Sequence, residues 1–381
     1  MDKPLQLLGN LKPSEFLRDY WQKKPLLIRA AIPNFTGLLT PNELAGLACE
    51  DDVQARLIEY KQGQHKNKKW SVKNGPFDDA DFTKLPAKDW TLLVQSVNNH
   101  LPEAASLLDL FNFIPHARLD DLMVSYAPDG GGVGAHFDSY DVFLLQGSGK
   151  RKWQISEQTD LSLEDAPIKI LKNFKAEQEW VLEAGDMLYL PPQIAHLGMA
   201  EGDDCMTYSI GFRAPKTQEL QHEFLSYLQD NIAAEGLYTD AELTLQNHPA
   251  EISENMVEKV SEMLQKITWN NNHVADFLGK YLTEPKPDVV FEPNHKISLN
   301  EFTKKMAQKS LHLDLKSQLL FYANHFYLNG EKLSVTSELV AEIRTLADTK
   351  ALNTPALQAN NHGGLGDVLF EAFLAGFIQF E

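Results

Sequence analysis

Between residues 121 and 212 the chain is cut into short apolar or alternating runs separated by turn-forming clusters. The runs are Leu122–Tyr126, Val142–Gln146, Trp153–Ile155, Trp180–Leu182, Met187–Leu190 and Met206–Phe212. Asp129-Gly130-Gly131-Gly132, Gly147-Ser148-Gly149 and Ala184-Gly185-Asp186 supply turns between them. Segments this short suit strands better than helices, and the gaps leave no room for the crossover helices of a parallel sheet. The pattern predicts an antiparallel sandwich or barrel.

The flanks read differently. Upstream, Ser14 is expected to cap a helix carrying Phe16, Leu17, Tyr20 and Trp21, with Pro25 stopping it and Leu26–Ile28 following as a strand. Downstream, Leu220, Phe224, Tyr227 and Leu228 recur at helical spacing. Met256, Val260, Met263, Leu264 and Ile267 do the same, as do Val274, Phe277, Leu278 and Tyr281. Three amphipathic helices in residues 216–283 are too few to enclose a core of their own. Packing against a second copy would cover them, so this segment is expected to be a dimerisation domain.

Glu284-Pro285-Lys286-Pro287 reads as a linker. Beyond it, one helix is marked by Leu299, Phe302 and Met306, and one by Leu339, Ile343 and Leu346 with Ser337 as cap. A last helix carries Leu369, Phe370, Phe373 and Leu374. Strands are expected at Leu319–Ala323 and His325–Leu328, with Asn329-Gly330 as a hairpin turn. Helices with one hairpin resemble a winged helix. The expected fold class is α+β: a double-stranded β-helix barrel within residues 1–213, a helical dimerisation domain in 216–283, and a winged-helix-like domain in 288–381.

Composition narrows the partners. The 381 residues are 43% hydrophobic and 23% charged, as in ordinary globular chains. No apolar run approaches the roughly 20 residues that a membrane span needs, and Met1-Asp2-Lys3-Pro4 lacks the layout of a secretory signal. The two cysteines, Cys49 and Cys205, make no disulfide framework and are too few for a zinc knuckle. A reducing cytoplasm is the expected location, with no membrane partner. The net charge of −18 opposes nucleic acid phosphates and favours a basic protein partner. In the C-terminal unit Lys and Arg do not outnumber Asp and Glu, so no direct nucleic-acid binding is expected.

The sharpest chemical signal is Gly134-Ala135-His136-Phe137-Asp138. Residues two apart on a strand face the same way, so His136 and Asp138 can aim into one barrel. A third ligand should come from a facing strand, and Gly185 through Pro192 leads by a stiffened bend to His196. Two neutral imidazoles and one carboxylate are the facial triad of non-haem iron(II) oxygenases. Three protein ligands leave three positions open, enough for a bidentate 2-oxo acid and O2. A bound 2-oxo diacid such as 2-oxoglutarate also needs a buried cation for its far carboxylate. Within Gly149-Lys150-Arg151-Lys152-Trp153, Arg151 shares a face with Trp153 and Ile155, and its planar fork suits a carboxylate. The Ser125 hydroxyl is a second candidate donor.

A cationic side chain of a basic protein entering such a site would meet Asp129, Tyr140 or Asp141. The Gly130–Gly134 run is no phosphate loop, because no Lys-Ser/Thr follows it and no helix opens there; it is expected to shape the entrance above the metal. Asn361-His362-Gly363-Gly364 reads as a structural turn with a lone histidine.

On these residues the chain resembles the JmjC-type ribosomal oxygenases, which share the cupin barrel. The likeness is carried by Asp121 through Trp153, by Phe16 through Leu26, by Gly185 through His196, and by Ser209-Ile210-Gly211-Phe212-Arg213. It is strongest toward the bacterial arginine hydroxylases of large-subunit ribosomal protein L-sixteen. The resemblance implies that His136, Asp138 and His196 bind Fe(II), and that Arg151 and Ser125 bind 2-oxoglutarate. It implies hydroxylation of an arginine β-carbon in a basic ribosomal protein, with O2 as oxidant, by a homodimer. The alternatives are histidine hydroxylation or lysine demethylation on the same site, or a non-catalytic cupin regulator.

Overall fold

A computed structural model describes residues 2–62, 68–231, 235–358 and 364–381. The Asn361–Gly363 part of the expected histidine turn lies outside the described residues.

Nine strands form one continuous, folded-over sheet: β1 (Leu26–Ile28), β2 (Ala55–Gln62), β3 (Lys68–Asn74), β4 (Trp90–Val94), β5 (Leu119–Ala127), β6 (Asp141–Ser156), β7 (Gln178–Leu182), β8 (Met187–Leu190) and β9 (Ala195–Phe212). The main path runs β1-β8-β6-β9-β5-β4-β2-β3, with β7 on the free side of β6, and every pairing is antiparallel. Strands β6 and β9 are long enough to belong to both layers. Asp141–Gln146 pairs with Thr207–Phe212 in one layer, and Lys150–Ser156 pairs with Ala195–Glu201 in the other.

This corrects the reading of Gly147-Ser148-Gly149 as a turn between two strands. The segment is a doubly bulged crossing inside one strand. Gly149 sits at φ +61, and a Cβ there would come within 2.8 Å of the Asp204 carbonyl oxygen on the partner strand. Glycine is required for the layers to fold over while the ladder stays continuous.

The outer face of the larger layer buries its apolar residues under short helices: α1 (Pro13–Asp19), α2 (Pro41–Leu47), α3 (Asp79–Thr83) and α4 (Pro102–Asp109). Phe16 on α1 is fully buried, 5.0 Å from the Tyr189 ring and 5.5 Å from that of Phe143. Helix α1 begins two residues earlier than expected. Lys12 takes the cap position, its N–H donates to Glu15, and Pro13 opens the first turn, whereas Ser14 bonds Asp2. The helix ends at Asp19, so Tyr20 and Trp21 pack on Phe16 from beyond its end. The inner face carries Val142, Leu144, Trp153, Ile155, Leu182, Leu188 and Leu190, the packed interior of the barrel.

Helices α5 (Thr217–Asn231), α6 (Glu254–Leu264) and α7 (Asn271–Thr283) follow. No residue of α6 is buried. Leu264 is 60% exposed and Trp269 just beyond it 55%, and Met256, Val257 and Val260 are also exposed. By contrast α7 is sandwiched between α5 and the C-terminal unit.

That unit contains α8 (Leu299–Met306), β10 (Leu311–Leu313), β11 (Leu319–Tyr322), β12 (His325–Leu328), β13 (Glu331–Leu333), α9 (Val340–Thr349), β14 (Ala351–Leu352), α10 (Thr354–Gln358), α11 (Leu365–Leu374) and β15 (Ile378–Phe380). Its helices close on one core around Phe302, Ile343, Leu346 and Leu369. The Asn329-Gly330 hairpin turn forms as expected, with both φ angles positive, and joins β12 to a third strand, β13, that the sequence reading did not include. Ser337 does not cap α9; it opens a single 3-10 turn, Ser337–Leu339, and bonds Glu338.

Candidate metal centre

The two histidines meet through their backbones. His136 N–H donates to the His196 carbonyl at 2.9 Å, and His196 N–H returns the bond at 2.8 Å. Residues paired in this way project side chains to the same side of the sheet, and the two imidazole centroids lie 4.2 Å apart. Asp138 follows two residues on, its carbonyl held by the Gln193 N–H at 2.7 Å.

Each imidazole has one nitrogen committed to the backbone. His136 Nδ1 lies 3.0 Å from the Gly134 carbonyl oxygen and His196 Nδ1 2.9 Å from that of Ile194. These acceptors fix the proton on Nδ1 and leave each Nε2 lone pair free. Nε2 of His196 is 3.6 Å and Nε2 of His136 4.0 Å from Asp138 Oδ2, and the three donor atoms lie within 4.8 Å of one another. A cation with bonds of roughly 2.0–2.2 Å can be shared by atoms spaced in this way. His196 is only 2% exposed. Burial, then the neighbouring His136, push its pKa down to about 4, so it is neutral and ready to ligate. The Tyr140 phenol lies near Asp138, and burial followed by the charge of that carboxylate drives its pKa far above the usual value. The donor set, its tautomers and its one-sided access fit a divalent iron site.

Deeper in the same barrel the sheet presents a cation. Past the bulge, β6 turns Arg151, Trp153 and Ile155 inward, opposite Ala200, Gly198 and His196 of β9. Lys150 and Lys152 point outward to Glu183 and Glu179. Arg151 is 4% exposed, yet its Nε and Nη2 have no hydrogen-bond partner, and neither has the indole N–H of Trp153. Buried charged donors are costly when unpaired, so this arrangement suits an anionic ligand. Ser125 is also buried on the inner face, and its hydroxyl reaches only the Thr207 carbonyl, at 3.5 Å. Beside it Thr207 donates to Gln146, whose amide reaches Ser148 and Cys205.

The candidate arginine receivers separate. Asp141 is fully buried outside the mouth, where it accepts from Tyr189 at 2.7 Å, Gln22 at 2.9 Å and Arg118 at 3.2 Å. It anchors the start of β6 and cannot meet a substrate. Asp129 accepts from the Gly202 N–H, six residues along β9 from His196, or about 20 Å. Of the three, Tyr140 alone stands beside the His136–Asp138–His196 cluster. A carboxylate that sequence reasoning passed over joins it: Asp121, buried and turned inward two residues before Met123 and four before Ser125 on β5. The same two-residue period that selects Ser125 would have found it. Gly132 of the glycine run pairs beside Met199, extending the smaller layer next to the metal loop.

The JmjC domain family matches residues 106–220, and the ROXA-like winged helix family residues 265–379. The ribosomal protein uL16 3-hydroxylase of Escherichia coli is 34% identical over 370 residues, which cover 96% of this chain and 95% of that protein. The structure of YcfD, a ribosomal oxygenase from E. coli, matches over all of both chains with a TM-score of 0.82 and 31% identity. Its complex with cobalt and 2-oxoglutarate matches 97% of this chain and 98% of that one, with a TM-score of 0.81 and 32% identity.

Proposed function

The chain belongs to the JmjC-domain ribosomal oxygenases, and on that premise we propose that it hydroxylates the β-carbon of an arginine in large-subunit ribosomal protein uL16. It is a 2-oxoglutarate-dependent dioxygenase. The observation that carries the assignment is the pairing, inside one barrel, of a two-histidine, one-carboxylate cluster with an orphaned buried arginine.

His136, Asp138 and His196 hold Fe(II), and Arg151 with Ser125 holds the far carboxylate of 2-oxoglutarate. Bound iron and 2-oxoglutarate together supply the activation of O2, the oxo acid being decarboxylated to succinate. The chain's own contribution is ligation, orientation and exclusion of water. Arg151 lies four residues from Ile155, the cross-strand partner of His196, about 13 Å of strand that a five-carbon diacid and two side chains can bridge. The Tyr140 hydroxyl steers Asp138. Asp121 receives the substrate guanidinium: Ser96 N–H and Oγ, each 3.1 Å away, occupy its Oδ2, and no hydrogen bond reaches Oδ1 among the described residues.

The exposed apolar face of α6 supports a homodimer formed through the helical segment. The winged helix, in a chain of net charge −18, is read as a structural partner of α7 and not as a nucleic-acid reader. Among the described residues no helix is long and apolar enough to cross a membrane. Together with a ribosomal protein substrate, this supports action in the cytoplasm.

Mass analysis of ribosomal proteins from cells with and without the gene tests the assignment. One oxygen atom missing from an arginine of uL16 in the deletion strain is expected. A methyl group retained there instead would point to demethylation, and an unchanged uL16 would remove the substrate assignment.

A further inference from the structure

The carboxylate that receives the substrate is held from outside the barrel. Asp121 Oδ2 accepts both Ser96 donors. Gln95, its amide oriented to satisfy both neighbours, adds Nε2 at 3.1 Å and accepts from Arg56 at 3.2 Å. The fourth approach is Lys286, whose Nζ lies 3.0 Å from Asp120 Oδ1 and 3.9 Å from Asp121 Oδ2. Lys286 belongs to the linker between α7 and the winged helix, more than 160 positions from Asp121 in sequence. All four converge on one side of the carboxylate, which leaves Oδ1 beside the open backbone of Gly211, 3.6 Å from where a Cβ would stand.

We propose that Lys286 is a positioning residue for substrate: it anchors Asp121 and Asp120 from the linker side, so that Asp121 meets the incoming guanidinium with Oδ1 free and its charge intact. The inference rests on the assignment of Asp121 as the arginine receiver. A buried carboxylate beside a second one tends to take up a proton. Burial is the largest influence raising the Asp121 pKa, Lys286 the largest opposing it, and Asp120 adds to the rise. The other charged or titratable groups facing this spot are Arg213, 3.5 Å from Asp120, Arg56 behind Gln95, and Tyr140 across the mouth. Arg213 is also committed to the Leu282 carbonyl, which leaves Lys286 the cation nearest Asp121. Asp120 and Lys286 line a cleft of about 660 Å³ between barrel and winged helix. Lys286 can therefore be replaced without cutting into a packed core.

The test is equilibrium binding of a fluorescent arginine peptide from uL16 to the full-length enzyme loaded with Mn(II) and 2-oxoglutarate without O2, followed across the whole pH range in which the loaded enzyme stays folded. An ionised Asp121 binds the peptide, and binding is lost as pH falls through its pKa. Without Lys286 that pKa rises further. Lys286→Met is expected to move the acid limb of affinity up by about one pH unit, costing roughly fivefold at the wild-type midpoint, approaching tenfold below it, and little at the alkaline end. Lys286→Arg should restore the wild-type curve. A Lys286→Met curve that overlays wild type, or one weakened equally at every pH, overturns the inference. Asp121→Asn separates the two claims. If it abolishes binding while Lys286→Met leaves the curve in place, only the role of Lys286 falls. If it binds like wild type, the assignment of Asp121 falls and takes the inference with it.

Discussion

The barrel and the helical segment treat their side chains in opposite ways. In the barrel, apolar positions are covered and a few buried polar atoms, those of Arg151 and Trp153 among them, lack partners. In the helical segment, α6 buries nothing and presents Met256, Val257, Val260 and Leu264 to the surroundings. One region is complete as a fold and incomplete as chemistry. The other is incomplete as a fold. The first suits a small anionic ligand, and the second leaves the apolar face on which the proposed homodimer rests. The lesson is that an unmet polar atom and an unmet apolar face are distinct signals, satisfied by different classes of partner.

That contrast can be broken experimentally. The largest effect is expected from replacing His136, Asp138 or His196 by Ala: succinate release should vanish while the oligomeric mass stays constant, because two ligands hold iron poorly. Turnover that survives would dislodge the metal assignment. Next comes Arg151→Ala, which should weaken 2-oxoglutarate binding by on the order of 3 kcal/mol, read by calorimetry on the Mn(II) protein. Unchanged 2-oxoglutarate affinity would place the anchor elsewhere.

In the helical segment the outcomes should invert. Val260→Glu puts a charge amid the apolar face of α6, and light scattering should report a monomer while 2-oxoglutarate affinity is retained. A wild-type protein that is already monomeric would end the contrast on this side. Gly279→Ala probes the junction with the winged helix. A Cβ there would fall 2.2 Å from the Tyr327 ring, so a loss of about 1–3 kcal/mol is expected in denaturant melts. The smallest effect should be Tyr140→Phe, which removes a phenol hydroxyl beside Asp138 and should lower metal affinity by no more than about 1 kcal/mol, read by calorimetry with Mn(II).

His136, Asp138 and Arg151 were legible because their signals are local. A two-residue period sets their direction, and their chemistry is peculiar to carboxylate and metal sites. The convergence of His196 on His136 and Asp138 was legible because Pro191 and Pro192 punctuate the approach to it. Asp141 was misplaced because its partners Gln22 and Tyr189 lie 119 and 48 residues away, and no local pattern distinguishes a clamp from a receiver. Gly147-Ser148-Gly149 was misread because a turn and a bulged crossing make the same demand on glycine. Ser14 lost the cap to Lys12 because Pro13 opens the helix and Glu15 supplies the capping bond from within it.

The order of residues alone indicated most strands between 121 and 212, the downstream helices, the inward face of β6, and three side chains with the chemistry to share a metal. These follow from periodicity and donor chemistry, which act over a few residues. Only the tertiary structure decided that β6 and β9 serve both layers, that Asp141 is a buried clamp, and that a linker lysine comes within 3.9 Å of the buried Asp121. Those outcomes depend on which distant segments pair and where bulges shift the register, and a one-residue shift reverses the face of every side chain beyond it.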